Sequence, residues 1–200
     1  MRFVVGIGNP EKKYELTRHN IGFRALDALR EKLESEKKKR LVLSKEFQAE
    51  VAFLSDDVLL IKPQTYVNRT GESVRALREK YTALPSDFLF VCDDVNLPLG
   101  TLRLRGSGGA GGHHGLESAL EAFGSEDFAR LRIGVGEEGM PKDDLTDYVL
   151  GRFQRVQEDG LKEVLTRAVL VCKTWIEEGL QPALDKLSHG QSKQQGSNEE

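Results

Sequence analysis

The chain has 200 residues, the size of one domain, and at that length roughly 70% of the unfolded surface is buried on folding, so a core needs no disulfide or metal staple. Its 29 Lys and Arg against 32 Asp and Glu leave a net charge of −3, which excludes a uniformly basic nucleic-acid coat and confines any RNA or phosphate site to a local patch. Two cysteines, Cys92 and Cys172, are too few for a disulfide scaffold or a cysteine-rich metal knuckle, and they read as buried thiols in a reducing compartment.

Residues 2–8 (RFVVGIG) form a short apolar run ending in glycine, the pattern of a buried strand leading into a loop. This direct entry, without a charged leader, and the lack of any apolar run near ~18 residues make the cytoplasm the expected compartment. A polar stretch follows from Asn9 to Asn20. Phe23, Leu26, Leu29 and Leu33 then recur at helical spacing, with Asn20 as the expected N-cap. The charge run at 34–40 reads as a solvated helix end. Residues 47–54 and 58–62 read as two strands joined by Ser55-Asp56-Asp57, a hairpin signal.

Pro63 to Tyr66 breaks the pattern, and the spacing predicts a helix over 70–81. Residues 88–92 are a continuous apolar strand, 93–100 a loop, and 101–105 a half-exposed strand. The glycine cluster GSGGAGGHHG at 106–115 precedes a helix over 116–123, and 130–135 is again a strand. A long helix over 156–178 presents Val164, Leu165, Ala168, Val169 and Cys172 on one face, with a shorter one over 181–187. The polar tail 190–200 (GQSKQQGSNEE) has no hydrophobic residue and is expected to be disordered. Strands and helices interleave without a repeat or linker. The reading is one α/β globular domain over 1–189, with a mixed sheet flanked by helices on both faces.

Ligands of such sheets gather beyond the carboxyl ends of the strands, and the loops there hold an unusual share of reactive side chains. His19, His113 and His114 lie in the loops at 9–20 and 106–115. Asn9 follows the first strand, Asn68 follows the Pro63 break, and Asp93-Asp94 follow the strand that opens at Phe88. An imidazole near its ordinary pKa can take a proton from water, a carboxylate on its other nitrogen fixes the tautomer, and asparagine amides can donate to an oxyanion. No serine sits in a G-x-S-x-G elbow, so an activated water is favoured over a protein nucleophile.

Each piece also has a plainer reading. A histidine just before a helix is commonly a cap or core residue, and Asp93-Asp94 fits a solvated loop equally well. GIGNP at 6–10 lacks the third glycine of a dinucleotide loop, and adjacent histidines are poorly spaced for one metal. The glycine cluster is either a phosphate cradle or a flexible turn. Residue by residue, the chain is a hydrolase-like α/β enzyme.

Five segments and the last helix together resemble bacterial-type peptidyl-tRNA hydrolase. They are GIGNPEKKYELTRHNIGF at 6–23, KPQTYVNRTGESV at 62–74, VCDDVNLPLGTLRLRGSGGAGGHHGLES at 91–118, RLRIGVGE at 130–137 and DYVLGRF at 147–153, with WIEEGL at 175–180 in the helix. Their order and spacing match from Met1 to about His189. The resemblance implies a twisted mixed sheet, a monomer without metal or cofactor, and hydrolysis of the ester between a peptide and the 3′ ribose of tRNA. By that likeness His19 is the general base on water and Asp93 orients it. Asn9 and Asn68 position the carbonyl and water, while His113, His114, Tyr14 and Tyr66 line the substrate groove. Arg105 and Arg132 fall where the family grips tRNA phosphate. Side chains two apart on a strand share a face, so Arg103 with Arg105, and Arg130 with Arg132, each make a short positive stripe.

Four positions depart from the family's usual pattern. His114 replaces an asparagine, Val67 a methionine, Glu11 a glycine and Asn96 an aspartate. A histidine can donate and accept at once only when neutral, so the change at 114 bears on pH dependence. The alternative to an active hydrolase is a catalytically impaired RNA-binding relative on the same fold.

Overall fold

The computed structural model describes residues 1–33, 41–140 and 145–195, so the charge run at 34–40 lies outside the described residues. The first strand, β1 (Arg2–Gly6), is apolar from Phe3 onward because it runs through the middle of the sheet. β4 (Val58–Pro63) and β5 (Phe88–Pro98) flank it in parallel, and β7 (Ala129–Gly136) adds to β5, also in parallel. β2 (Val42–Ser44), β3 (Ala49–Ser55) and β6 (Leu102–Arg105) pair antiparallel at the two sides. The result is one seven-stranded mixed sheet in the order β2-β3-β4-β1-β5-β7-β6. Parallel strands are covered on both faces, which explains their unbroken apolar runs.

Strand alternation divides the core into two layers. Val4, Val91, Leu131 and Ile133 face α1 (Ile21–Leu33), α5 (Glu158–Glu178) and α6 (Leu180–Gln195), where Trp175 is fully buried. Phe3, Val5, Phe88 and Phe90 face α2 (Thr70–Tyr81) and α3 (His114–Phe123). Both cysteines are buried free thiols, one in each layer.

Several expected boundaries move. β5 continues through Asp93 and Asp94 to Pro98, because pairing with β7 carries the strand past its apolar run. β2 lies at the sheet's edge with Val42 and Leu43 exposed, and α4 (Leu145–Leu150) is a six-residue helix with no fully buried residue. Neither signals itself by periodicity. Asn20 does not cap α1; it ends a 3-10 turn, and its amide is spent on Asn9. α6 runs to Gln195, beyond the expected end at 187, so the first part of the expected tail is helical while 196–200 lie outside the described residues. Packing of Ala183, Leu184 and Leu187 anchors that helix, and polar residues add further turns at little cost once it is nucleated.

The connections place the chemistry. From β1 the chain leaves across one face through α1, whereas from β5 it continues to β7 with α3 on the opposite face. A crevice opens at this switch point, between the carboxyl ends of β1 and β5. Gly22 permits α1 to reach it. A Cβ there would strike the carbonyl oxygens of Val91 and Ile7, so α1 sits directly on the backbone of both strands' ends. Gly22→Ala is expected to cost about 2–3 kcal/mol through overpacking, measured by urea unfolding.

Candidate active site

The crevice is a cleft of about 490 Å³. Asp93, from β5, is the more deeply buried of its two carboxylates, and two histidines arrive from opposite faces of the sheet. His19, on the 3-10 turn before α1, brings its Nδ1 to 2.8 Å from Asp93 Oδ1. His113, immediately before α3, brings its Nε2 to 3.1 Å from the same oxygen. The ring centroids are 5.1 Å apart. His19 keeps 14% of its side chain exposed while Asp93 keeps 3%, so His19 Nε2 is the nitrogen left to meet a water.

The electrostatics follow from this pairing. Burial is the largest influence on His19 and opposes its protonation, but the charge of Asp93 and the hydrogen bond to it together raise the pKa above 6.5. Burial also works against the Asp93 carboxylate, and the two histidines more than compensate, holding its pKa below the usual range. The thiols are inert: burial pushes Cys92 strongly up and Cys172 up to about 12.

His19, Asp93 and His113 bring ligand-type atoms within 4.8 Å of one another, the spacing of a metal cluster. The hydrogen bonds use them differently. His113 Nδ1 accepts the backbone N–H groups of Gly115 and Leu116, at 3.1 and 3.4 Å. That nitrogen carries no hydrogen, so Nε2 does, and it donates to Asp93. His113 thus caps α3 and also lines the cleft.

Asn9 is clamped in place. Its backbone N–H donates to Asn20 Oδ1 and its carbonyl accepts from Asn20 Nδ2, both at 2.9 Å. Its own Oδ1 accepts the Val67 N–H at 3.2 Å, which leaves the amide NH₂ for the cleft. Asn68 and His114 stand exposed on the rim, and Val67 with Leu145, Val149 and Leu150 supplies an apolar wall. Tyr66 also lines the cleft, its hydroxyl donating to Glu11 Oε1 at 2.7 Å. Glu11 in turn pairs with Lys13 at 2.8 Å, so its charge is neutralised beside the opening.

One residue expected to line the groove does not reach the cleft. Tyr14 is absent from its lining; its carbonyl accepts the Thr17 hydroxyl at 2.7 Å and shapes the turn leading to His19. Arg105 lies outside, exposed on β6. Arg132 does line the cleft but is 7% exposed, donating to Asp94 at 3.3 Å and to the carbonyls of Gly109 and Ala110 at 3.0 and 2.8 Å. Arg130 donates similarly to the carbonyls of Gly108, Gly109, Glu126 and Phe128. Several glycine-loop carbonyls therefore face cations, which argues against a phosphate cradle. Positive φ at Gly111 and Gly112 turns the chain into His113.

Sequence reasoning missed Asn20 as a clamp and Arg18 altogether. Arg18 is buried and donates to the Arg152 carbonyl at 2.8 Å and to Glu137 Oε1 at 2.9 Å, with its guanidinium 4.3 Å from the Tyr148 ring centroid. It ties α4, one wall of the cleft, to the turn carrying His19. An arginine beside a histidine in a polar loop gives no signal of such a role.

Comparisons with known proteins identify the family. Residues 3–196 match the family described as peptidyl-tRNA hydrolase. The peptidyl-tRNA hydrolase of Chlorobium phaeovibrioides is 42% identical over 189 residues, covering 94% of this chain and 95% of its own. That of a Synechococcus strain is 44% identical over 193 residues, covering 94% and 83%. The crystal structure of peptidyl-tRNA hydrolase from Acinetobacter baumannii superposes with a TM-score of 0.82 at 29% identity, covering 94% of each chain. With both sequence and fold matched over nearly its whole length, the chain belongs to the peptidyl-tRNA hydrolase family.

Proposed function

We propose that the protein hydrolyses the ester joining a peptide, or an N-blocked amino acid, to the 3′ ribose of tRNA, with His19 as general base. The observation that carries this is the 2.8 Å bond from His19 Nδ1 to Asp93 Oδ1, with the imidazole at the floor of the cleft. In the reaction, His19 Nε2 takes a proton from water as the oxygen attacks the ester carbonyl. Asp93 holds the tautomer and stabilises the imidazolium. The free amide hydrogens of Asn9 stabilise the developing oxyanion, with Asn68 nearby on the rim. The C–O bond to the ribose then breaks, and the proton on Nε2 passes to the departing 3′ oxygen. An ester is activated enough for these groups to suffice.

Arg105, exposed on β6, suits a tRNA phosphate outside the cleft, and Arg103 shares its face. Arg132 contributes by bracing the glycine loop against Asp94, with one terminal nitrogen on the loop carbonyls and the other on the carboxylate. His114, Tyr66 and Asn68 would meet the substrate at the opening. The proposed catalytic unit is residues 1–189, acting as a monomer. The setting is the cytoplasm, where tRNA is found. Among the described residues no helix is long and apolar enough to cross a membrane. Nothing in the cleft favours an impaired relative.

The test is incubation with N-blocked and unblocked aminoacyl-tRNA in the presence of a chelator; cleavage of only the blocked form supports the reading. His19→Ala should lower kcat by about 10²–10⁴-fold with tRNA affinity retained, and equal loss of both would assign His19 a structural role. Because Asp93 raises the His19 pKa, the base is protonated and inactive at low pH, and kcat/KM should rise through an inflection above 6.5. Asp93→Asn should move that inflection down and lower the plateau, though less than His19→Ala. Arg105→Ala should raise KM and reduce the salt slope of binding by about 1; an unchanged slope would remove the phosphate contact.

A further inference from the structure

His113 is 8% exposed, so it contributes little surface to a substrate, yet both of its ring nitrogens are engaged. We infer that His113 is a positioning residue that tunes the basicity of His19 through Asp93. The inference rests on the reading of His19 as base and Asp93 as its orienter.

The geometry makes the role specific. Gly115 and Leu116 fix the His113 tautomer from the backbone, so its Nε2–H is aimed at Asp93 whatever the state of His19. Asp93 Oδ1 thus accepts two N–H groups, one from each face of the sheet. The second donor has two consequences. It draws negative charge away from His19, so the His19 imidazolium is stabilised less than an otherwise unpartnered carboxylate would stabilise it. It also restrains rotation of the carboxylate, and with it the plane of the His19 ring. A neutral imidazole does both without adding charge to the cleft.

The other charged groups around this network have partners of their own. Asp94 pairs with Arg132, Arg18 with Glu137 and Arg69 with Glu72, while His114 is exposed at the rim. Asp93 Oδ1 takes its hydrogen bonds from His19 and His113 and not from these groups. Replacement of His113 should therefore be felt chiefly through Asp93.

Two substitutions separate capping from tuning. In His113→Asn the amide oxygen takes the place of Nδ1 and keeps the cap, since asparagine is a strong N-cap, but the side chain ends short of Asp93. In His113→Gln the amide nitrogen takes the place of Nε2 and keeps the donor, while the capping acceptor is lost. The measurements are pH profiles of kcat and kcat/KM on N-blocked aminoacyl-tRNA, thermal unfolding, and NMR titration of the His19 ring, for wild type and both variants.

For His113→Asn the expected result is a plateau kcat about tenfold lower, the scale of a hydrogen bond to a charged group. KM should stay within about twofold, the kinetic inflection and the His19 titration should move together to higher pH, and the unfolding temperature should be retained. His113→Gln should restore most of the rate and the wild-type inflection at a lower unfolding temperature. The inference is overturned if His113→Asn moves neither inflection nor rate, or if both variants lose activity only in step with stability. Should the wild-type kinetic inflection not coincide with the His19 titration, the general-base reading fails and takes this inference with it. Coincidence in wild type with no effect of His113→Asn refutes the role of His113 alone.

Discussion

A single buried carboxylate organises the cleft. Desolvating the Asp93 charge would cost several kcal/mol if it were left unpaired, and the fold answers with two imidazole donors from opposite sides of the sheet. That answer needs the start of α1 and the start of α3 to meet above the end of β5. The first needs Gly22, where only a hydrogen fits between helix and strand backbones, and the second needs the turn at Gly111 and Gly112. The geometry of the candidate site and the satisfaction of a buried charge are here one requirement.

Around that charge, the remaining polar groups are held by hydrogen-bond partners. Asn20 grips both backbone groups of Asn9, Val67 orients the Asn9 amide, and Arg18 binds the turn of His19 to the segment that walls the cleft. Such support lets reacting groups stay within a fraction of an ångström of a productive arrangement without contacting substrate themselves. The Glu11–Tyr66 bond, at 2.7 Å, ties the loop after β1 to the loop after β4 across the opening.

Much of this was legible before any coordinates. The apolar runs and helical periodicities found β1, the hairpin, α2 at 70–81 and the buried face of α5, because each reflects burial that sequence records directly. What escaped is physically of one kind. Asp93 and Asp94 looked like loop residues because a paired, buried carboxylate has the same letter as a solvated one. The arginines alternate as foreseen, and antiparallel pairing sets Arg103 opposite Arg132 and Arg105 opposite Arg130. Yet only the glycine loop lying over β7 decides that one pair is buried and the other open. The His113 cap is local, but its bond to Asp93 and the grip of Asn20 on the Asn9 backbone are tertiary contacts absent from local spacing. α4 and β2 gave no signal because neither buries a continuous apolar face.

The open pair on β6 has a consequence even without RNA. β6 is the last strand on its side of the sheet, and an edge strand is where a strand of another chain can pair. Cationic side chains at Arg103 and Arg105 make a second copy of this same rim an unfavourable neighbour, through like-charge repulsion and desolvation. Two residues suited to a polyanion thereby also discourage self-aggregation along this side of the sheet.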